Sequence, residues 1–172
     1  MHSPVLAPPL AEPAFTSQQF RQALGQFATG VTIVTARAPD GEPVGLTVSS
    51  FNSVSLNPPL VLWSLNKASA QLAALSQASH YAIHVLGAGQ QALAERFAGP
   101  RELRWTGVAH QGGTGGTPLL DGCMAVFECR NRSRHDEGDH LIFVGEVERC
   151  VSQPSAAPLL YHGGRFHTQA LR

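Results

Sequence analysis

Charge is scarce in this chain. Only 14% of its 172 residues are Asp, Glu, Lys or Arg, and twelve basic side chains cancel twelve acidic ones. With no basic excess it lacks the electrostatic footprint of a nucleic-acid binder or of a protein held on an anionic membrane. Cysteine is scarce as well. Cys123, Cys129 and Cys150 are odd in number and form no Cys-x-x-Cys pair, which argues against a disulfide framework or a cysteine zinc site. They read as buried free thiols of a reducing cytoplasm. No apolar run approaches the roughly 20 residues that span a bilayer. Residues 1–16 carry Pro4, Pro8, Pro9 and Pro13 without a basic or long apolar segment, and read as a disordered arm, not a signal peptide. Gly-x-Ser-x-Gly and His-Glu-x-x-His are both missing, so neither a nucleophile elbow nor a zinc-peptidase helix is encoded.

What remains is a globular composition, 43% hydrophobic, in a length that suits one domain over residues 17–172. The low charged fraction suggests that part of the surface is covered by a second subunit. Ser17 reads as the cap of a helix over 18–27, with Phe20, Leu24 and Phe27 at helical spacing. The β-branched run 31–36, the Pro39-Asp40-Gly41 turn and the run 44–48 predict a hairpin. Pro58-Pro59 marks a strand boundary or an edge. Strands follow at 60–65, 80–86, 122–130 and 141–151, with helices over 68–79 and 90–97, and a polar connector over 131–138. Six or seven strands joined mostly by hairpin-length turns argue for a mainly β, antiparallel barrel with short flanking helices.

Two further motifs do not make a site. Gly112-Gly113-Thr114-Gly115-Gly116 is followed by Thr117-Pro118 and not by Lys-Ser/Thr, and no βαβ unit surrounds it, so it reads as a flexible loop. His80 and His84 share one face of a strand, but two histidines do not make a metal site.

Residues 45–70 hold the densest polar chemistry. Thr47, Ser49, Ser50, Asn52, Ser53 and Ser55 precede the Pro-Pro boundary; Ser64, Asn66, Lys67 and Ser69 follow the next strand as a helix begins. A lysine beside a helix N-terminus suits a phosphate. A serine-capped helix next to a solvated lysine accounts for the same residues.

The chain as a whole strengthens the first reading. Thr29-Gly30-Val31-Thr32-Ile33-Val34-Thr35, the stretch 45–61, Arg96-Phe97-Ala98-Gly99, Gly138-Asp139-His140 and Pro158-Leu159-Leu160-Tyr161-His162-Gly163-Gly164-Arg165-Phe166 occur in the order found in the short-chain flavin reductases. The chain resembles that family over about residues 18 to 168. The resemblance implies a homodimeric split β-barrel of antiparallel Greek-key type, using FMN or FAD with NADH or NADPH and supplying reduced flavin to a partner monooxygenase. It implies that Thr47, Val48, Ser49 and Ser50, with Ser53, line the isoalloxazine edge, and that Ser64, Asn66, Lys67, Ala68 and Ser69 hold the phosphate. Phe97 would pack near the flavin. His140 would meet the nicotinamide as the one catalytic side chain, with Tyr161, Gly163 and Gly164 as the opposite wall. No evident basic clamp for a 2′-phosphate favours NADH. Two other readings stay open: a bound-flavin reductase acting on a ferric chelate or corrinoid, and a flavin- or haem-binding split barrel without turnover.

Overall fold

The run after Gly30 forms the most deeply buried strand, because its two faces supply two cores. β2 (Thr32–Arg37) sends Val34 and Ala36 to one cluster and Ile33 to another, and the run is β-branched at nearly every position. The computed structural model describes residues 12–153 and 157–168. The arm expected over 1–16 lies largely outside these.

Around β2 the chain builds an antiparallel seven-stranded sheet. Its order is β3 (Pro43–Val48), β2, β6 (His80–Val85), β9 (Ala125–Glu137), β10 (His140–Ser152), β5 (Pro59–Asn66) and β4 (Asn52–Leu56). A second, three-stranded sheet joins β1 (Thr29–Gly30), β11 (Leu160–His162) and β12 (Arg165–His167), and β7 (His110–Gly112) pairs with β8 (Pro118–Leu120). Among the described residues three α-helices flank them: α1 (Ser17–Gly25), α2 (Leu72–Gln77) and α3 (Gln91–Ala98).

The edge strands β3 and β4 are neighbours in the chain, joined only by residues 49–51. In a flat sheet, six inter-strand gaps would set them about 29 Å apart. The connector from residue 48 to residue 52 reaches only about 14 Å. The sheet is therefore curled. The expected barrel does not close among the described residues, because β3 and β4 meet through this connector and not through a ladder.

One cluster lies within the curl, where Trp63 stacks on Phe143 with ring centroids 4.3 Å apart and Tyr81 meets Trp63 edge-on at 5.6 Å. The other lies under α3 and holds Val31, Leu86, Phe97 and Leu159.

Several sequence expectations shift. Thr16, not Ser17, caps α1: its Oγ1 accepts the Gln19 N–H (3.2 Å) and Gln19 Oε1 accepts the Thr16 N–H (2.8 Å). Phe20, Leu24 and Phe27 are exposed instead of packed, Phe27 to 76%. The stretch 131–138 is no connector: β9 runs on to Glu137, and Gly138-Asp139 alone turns the chain into β10, with Gly138 at φ 56°. Its alternating polar side chains suit a strand with solvent on both sides. Cys123 and Cys129 are buried, whereas Cys150 is exposed near the end of β10. Burial pushes the Cys129 thiol up to about 12, with the nearby Glu148 and Glu128 carboxylates adding to it.

The glycine cluster is a pinned turn. Thr114 donates from its N–H (2.6 Å) and hydroxyl (2.7 Å) to Glu128, and Arg37 Nε donates to the Gly116 carbonyl (2.7 Å). A Cβ on Gly113 would fall 2.8 Å from the same Glu128 oxygen. Burial acts to raise the Glu128 pKa, but the two Thr114 bonds and Arg149 outweigh it and hold the carboxyl below its ordinary value. His84 is likewise fully used: Nδ1 donates to the Ile33 carbonyl (3.0 Å), and Nε2 accepts the Leu120 N–H (3.1 Å). His80 turns instead to Ser79 (2.9 Å) and Glu148 (3.3 Å), so the pair does not converge on a metal.

Candidate functional site

The curl places the end of β3 opposite the small sheet. Val31, Thr47, Val48, Ser49, Ala98, Tyr161 and Phe166 line a cleft of about 200 Å³ between them. Three of the sequence-predicted ring contacts thus face Tyr161, which comes from the far end of the chain. The β11–β12 hairpin brings it there. Gly163 and Gly164 have φ 58° and 76°, a tight turn that only glycine takes readily, and Tyr161 lies opposite Phe166 in register. Their rings sit 5.3 Å apart. The Gly163 N–H donates to the Gly25 carbonyl (2.9 Å), fastening the turn to the end of α1.

The β3 wall offers backbone chemistry. β3 is a sheet edge, and at Gly45 its outward N–H and C=O are taken by the buried Gln71 side chain (2.9 and 3.0 Å) and by Arg104 Nη1 (2.8 Å). Strand alternation puts the N–H and C=O of Thr47 on that same outward side, where no neighbouring strand takes them up. A row of donors and acceptors along an apolar cleft fits the hydrogen-bonding rim of a planar heterocycle such as flavin. The Thr47 hydroxyl itself turns inward and donates to the Ala94 carbonyl (2.6 Å). Phe97 is wholly buried beneath this wall, edge-on to Trp105 at 5.0 Å. A Cβ on Gly45 would meet its ring at 2.9 Å. It supports the cleft without lining it.

Ser50 links the cleft to a second polar corner. Its Oγ accepts the Ser64 N–H (2.9 Å) and donates to the Ser64 carbonyl (3.2 Å). On β5 the side chains of Ser64 and Asn66 share a face, and Asn66 is paired with His140 across β5 and β10. Lys67 comes next. Its N–H donates to the Asp139 carbonyl (2.9 Å), and its ammonium donates to the Asp136 carboxylate and the Gly138 carbonyl (2.7 Å). His140 Nδ1 donates to Asp139 Oδ1 (2.7 Å), which leaves Nε2 for a ligand. The hydrogen bond from His140 holds the Asp139 carboxyl below its ordinary value.

The helix behind this corner is shorter than expected. Asn66 Oδ1 captures the Ala68 N–H (2.8 Å), the Ser69 carbonyl accepts the Leu72 N–H (3.0 Å), and Gln71 is drawn away to Gly45. These turns consume the first positions, so α2 has six residues and starts beyond Ser69. The helix-terminus argument for a phosphate falls with it; what remains is Lys67 with the hydroxyls of Ser64 and Ser69. Ser53 is exposed on the edge strand β4, and Ala68 is exposed in the turn.

The structure therefore brings Thr47, Val48 and Ser49 to Tyr161, and brings Ser64, Asn66 and Lys67 to His140. Among the described residues no hydrogen bond joins His140 to Tyr161. Phe166, Asp136 and Asp139 were not singled out from the sequence. The Gly163-Gly164 turn was the signal for Phe166, since a two-residue hairpin pairs positions 161 and 166. Asp136 is hidden by reading 131–138 as a connector, whereas Asp139 stands in the Gly138-Asp139-His140 motif without a role of its own.

Comparison with known proteins bears on this site. A family model described as "Flavin reductase like domain" matches residues 24–170. The FMN reductase (NADH) SmoA of Agrobacterium fabrum is 49% identical over 154 residues, covering 87% of this chain and 84% of its own. The reductase component of a flavin-dependent trigonelline monooxygenase from Acinetobacter baylyi is 39% identical over 153 residues; the match covers 89% of this chain and 49% of that longer protein. Among solved structures, the Streptomyces globisporus NADH:FAD oxidoreductase SgcE6 in complex with NAD and FAD fragments superposes with a TM-score of 0.85 at 38% identity, over 95% of this chain and 98% of that one.

Proposed function

The chain belongs to the flavin reductase-like family, and from that premise we propose that it is an NADH:flavin oxidoreductase acting on FMN or FAD. The observation that carries the reading is the cleft in which the β3 edge faces Tyr161 and Phe166, joined through Ser50 and Ser64 to the Lys67 corner. The bound flavin and nicotinamide supply the hydride chemistry between them. The protein's part is geometry. The outward backbone of Thr47 and Ser49 anchors the polar edge of the ring and meets charge that develops there. Tyr161 and Phe166 would give an apolar wall for the flat rings of flavin and nicotinamide to rest against. Lys67, Ser64 and Ser69 hold the phosphate, with Ser50, Ser53, Asn66 and Ala68 shaping the route to it. His140, oriented by Asp139, offers Nε2 to the nicotinamide side.

The cleft of one chain is smaller than the roughly 300–1,000 Å³ of a complete small-molecule site. Phe15, Phe20, Leu24 and Phe27 stand exposed on and beside α1, and Val54 and Leu56 on β4. Both observations support a homodimer in which a second copy covers apolar surface and completes the site. The curled, open sheet supports the split-barrel reading, and the run of the family model supports one domain over residues 17–172. The likeness to a monooxygenase reductase component supports delivery of reduced flavin to a partner oxygenase. NADH as reductant suits the cytoplasm. Among the described residues no helix is long and apolar enough to cross a membrane.

The test is the loss of NADH absorbance when purified protein is mixed with FMN or FAD. Turnover with at least one flavin is expected, and no consumption with either overturns the proposal. Light scattering on the same sample is expected to give twice the chain mass.

A further inference from the structure

Lys67 is already engaged on both its main chain and its side chain. Its ammonium donates to Asp136 and to the Gly138 carbonyl, while its N–H holds the Asp139 carbonyl. An ammonium has three donors, so one remains for an incoming anion. Asp136 sits near the end of β9, opposite Leu141, with its side chain 72% exposed. A phosphate reaching Lys67 must displace this carboxylate or settle beside it. Displacement gives up an ion pair, and co-residence sets two anions around one cation. Either route weakens phosphate binding.

We propose that Asp136 is a built-in competitor for the flavin phosphate at Lys67 and sets how loosely the flavin is held. The inference rests on reading Lys67 as the phosphate ligand. Two neighbouring groups are engaged elsewhere: the Asp139 carboxyl hydrogen-bonds His140 (2.7 Å), and Arg134 donates to the Ser76 carbonyl (2.9 Å). A reductase that hands its product to another protein needs a flavin that leaves. Asp136 supplies the counter-pull, acting on the phosphate and not on the ring, so flavin behaves as an exchanging substrate.

The experiment measures equilibrium binding of FMN and of riboflavin, which lacks the phosphate, by flavin fluorescence without NADH. Asp136→Asn removes the charge at an exposed position. It is expected to tighten FMN about two- to fivefold, the scale of an exposed ion pair, and to leave riboflavin unchanged. In a Lys67→Ala background the same substitution is expected to have no effect on FMN. Unchanged FMN affinity in Asp136→Asn, with Lys67→Ala still weakening FMN, overturns the competition and leaves the phosphate reading standing. Unchanged FMN affinity in Lys67→Ala removes the phosphate reading and the inference together. Equal tightening of FMN and riboflavin overturns the inference, because the effect would then lie at the ring.

Discussion

Ser50 Oγ stands in for a strand residue opposite Ser64: it takes the Ser64 N–H at 2.9 Å and gives its own proton to the Ser64 carbonyl at 3.2 Å. The β4–β5 register carries Asn52 opposite Leu62, so Ser50 falls opposite Ser64 two positions further on, with a side chain in place of backbone. Ser50→Ala leaves two half-buried polar groups of β5 without this partner. It is expected to cost about 1 kcal/mol of stability and to weaken flavin binding severalfold, since the same bond joins the cleft to the Lys67 corner. Urea unfolding and flavin fluorescence check the two effects separately.

Tyr161 and Phe166 form the removable wall of the cleft. An aromatic pair of this kind is worth about 0.5–1.5 kcal/mol beyond its buried area. Phe166→Ala is therefore expected to raise the KM for NADH or for flavin about three- to tenfold, and Phe166→Tyr much less. Steady-state kinetics with each substrate varied in turn will show which ring this wall serves. No change in either KM would mean that the reactants stack elsewhere.

His84 makes stability depend on pH. Burial lowers its pKa from 6.5 to about 4, although the Ile33 carbonyl and Glu128 both favour the charged ring. Between those values the unfolded chain takes up a proton that the folded chain refuses, so stability is lost as pH falls. The full effect is about 3 kcal/mol. Thermal melting of the wild type is expected to drop between pH 7 and pH 5. His84→Gln starts lower, because the Ile33 and Leu120 bonds are disturbed, but is expected to show a flatter slope over that interval.

Gly145 is required by the aromatic core. A Cβ there would lie 2.9 Å from Tyr81 Cζ and 3.0 Å from Cys129 Cβ, both immobilised in the packed interior. Gly145→Ala is expected to destabilise the fold by about 1–3 kcal/mol, read as a lower melting temperature. Its effect on flavin affinity is expected to be small, because the site lies elsewhere.

Much of the architecture was readable because its causes are local. The β-branched run before Arg37, the Pro39-Asp40-Gly41 turn and the Pro58-Pro59 boundary each act through neighbouring residues, and the β2–β3 hairpin formed as expected. Thr47–Ser49 and Tyr161 were nominated by resemblance, and the fold does bring them to one cleft. Misreadings arose where distant partners decide. Gln71 belongs to a helix by propensity but is drawn to Gly45, twenty-six positions away, which shortens α2. Residues 131–137 are polar in composition, yet pairing with β10 makes them strand. Lys67 looked free because its anion, Asp136, lies sixty-nine positions on.

The three residues 49–51 span the gap between opposite edges of the sheet, and Ser49 among them lines the cleft. Sequence drift therefore meets unequal resistance along this chain. The hairpin turns can gain residues at the surface and leave both cores intact. An insertion between Val48 and Asn52 would slacken the curl, shift Ser50 off Ser64 and reshape the cleft at once. In an evolving lineage this connector is where length itself is under selection, whatever happens to the identity of the side chains it carries.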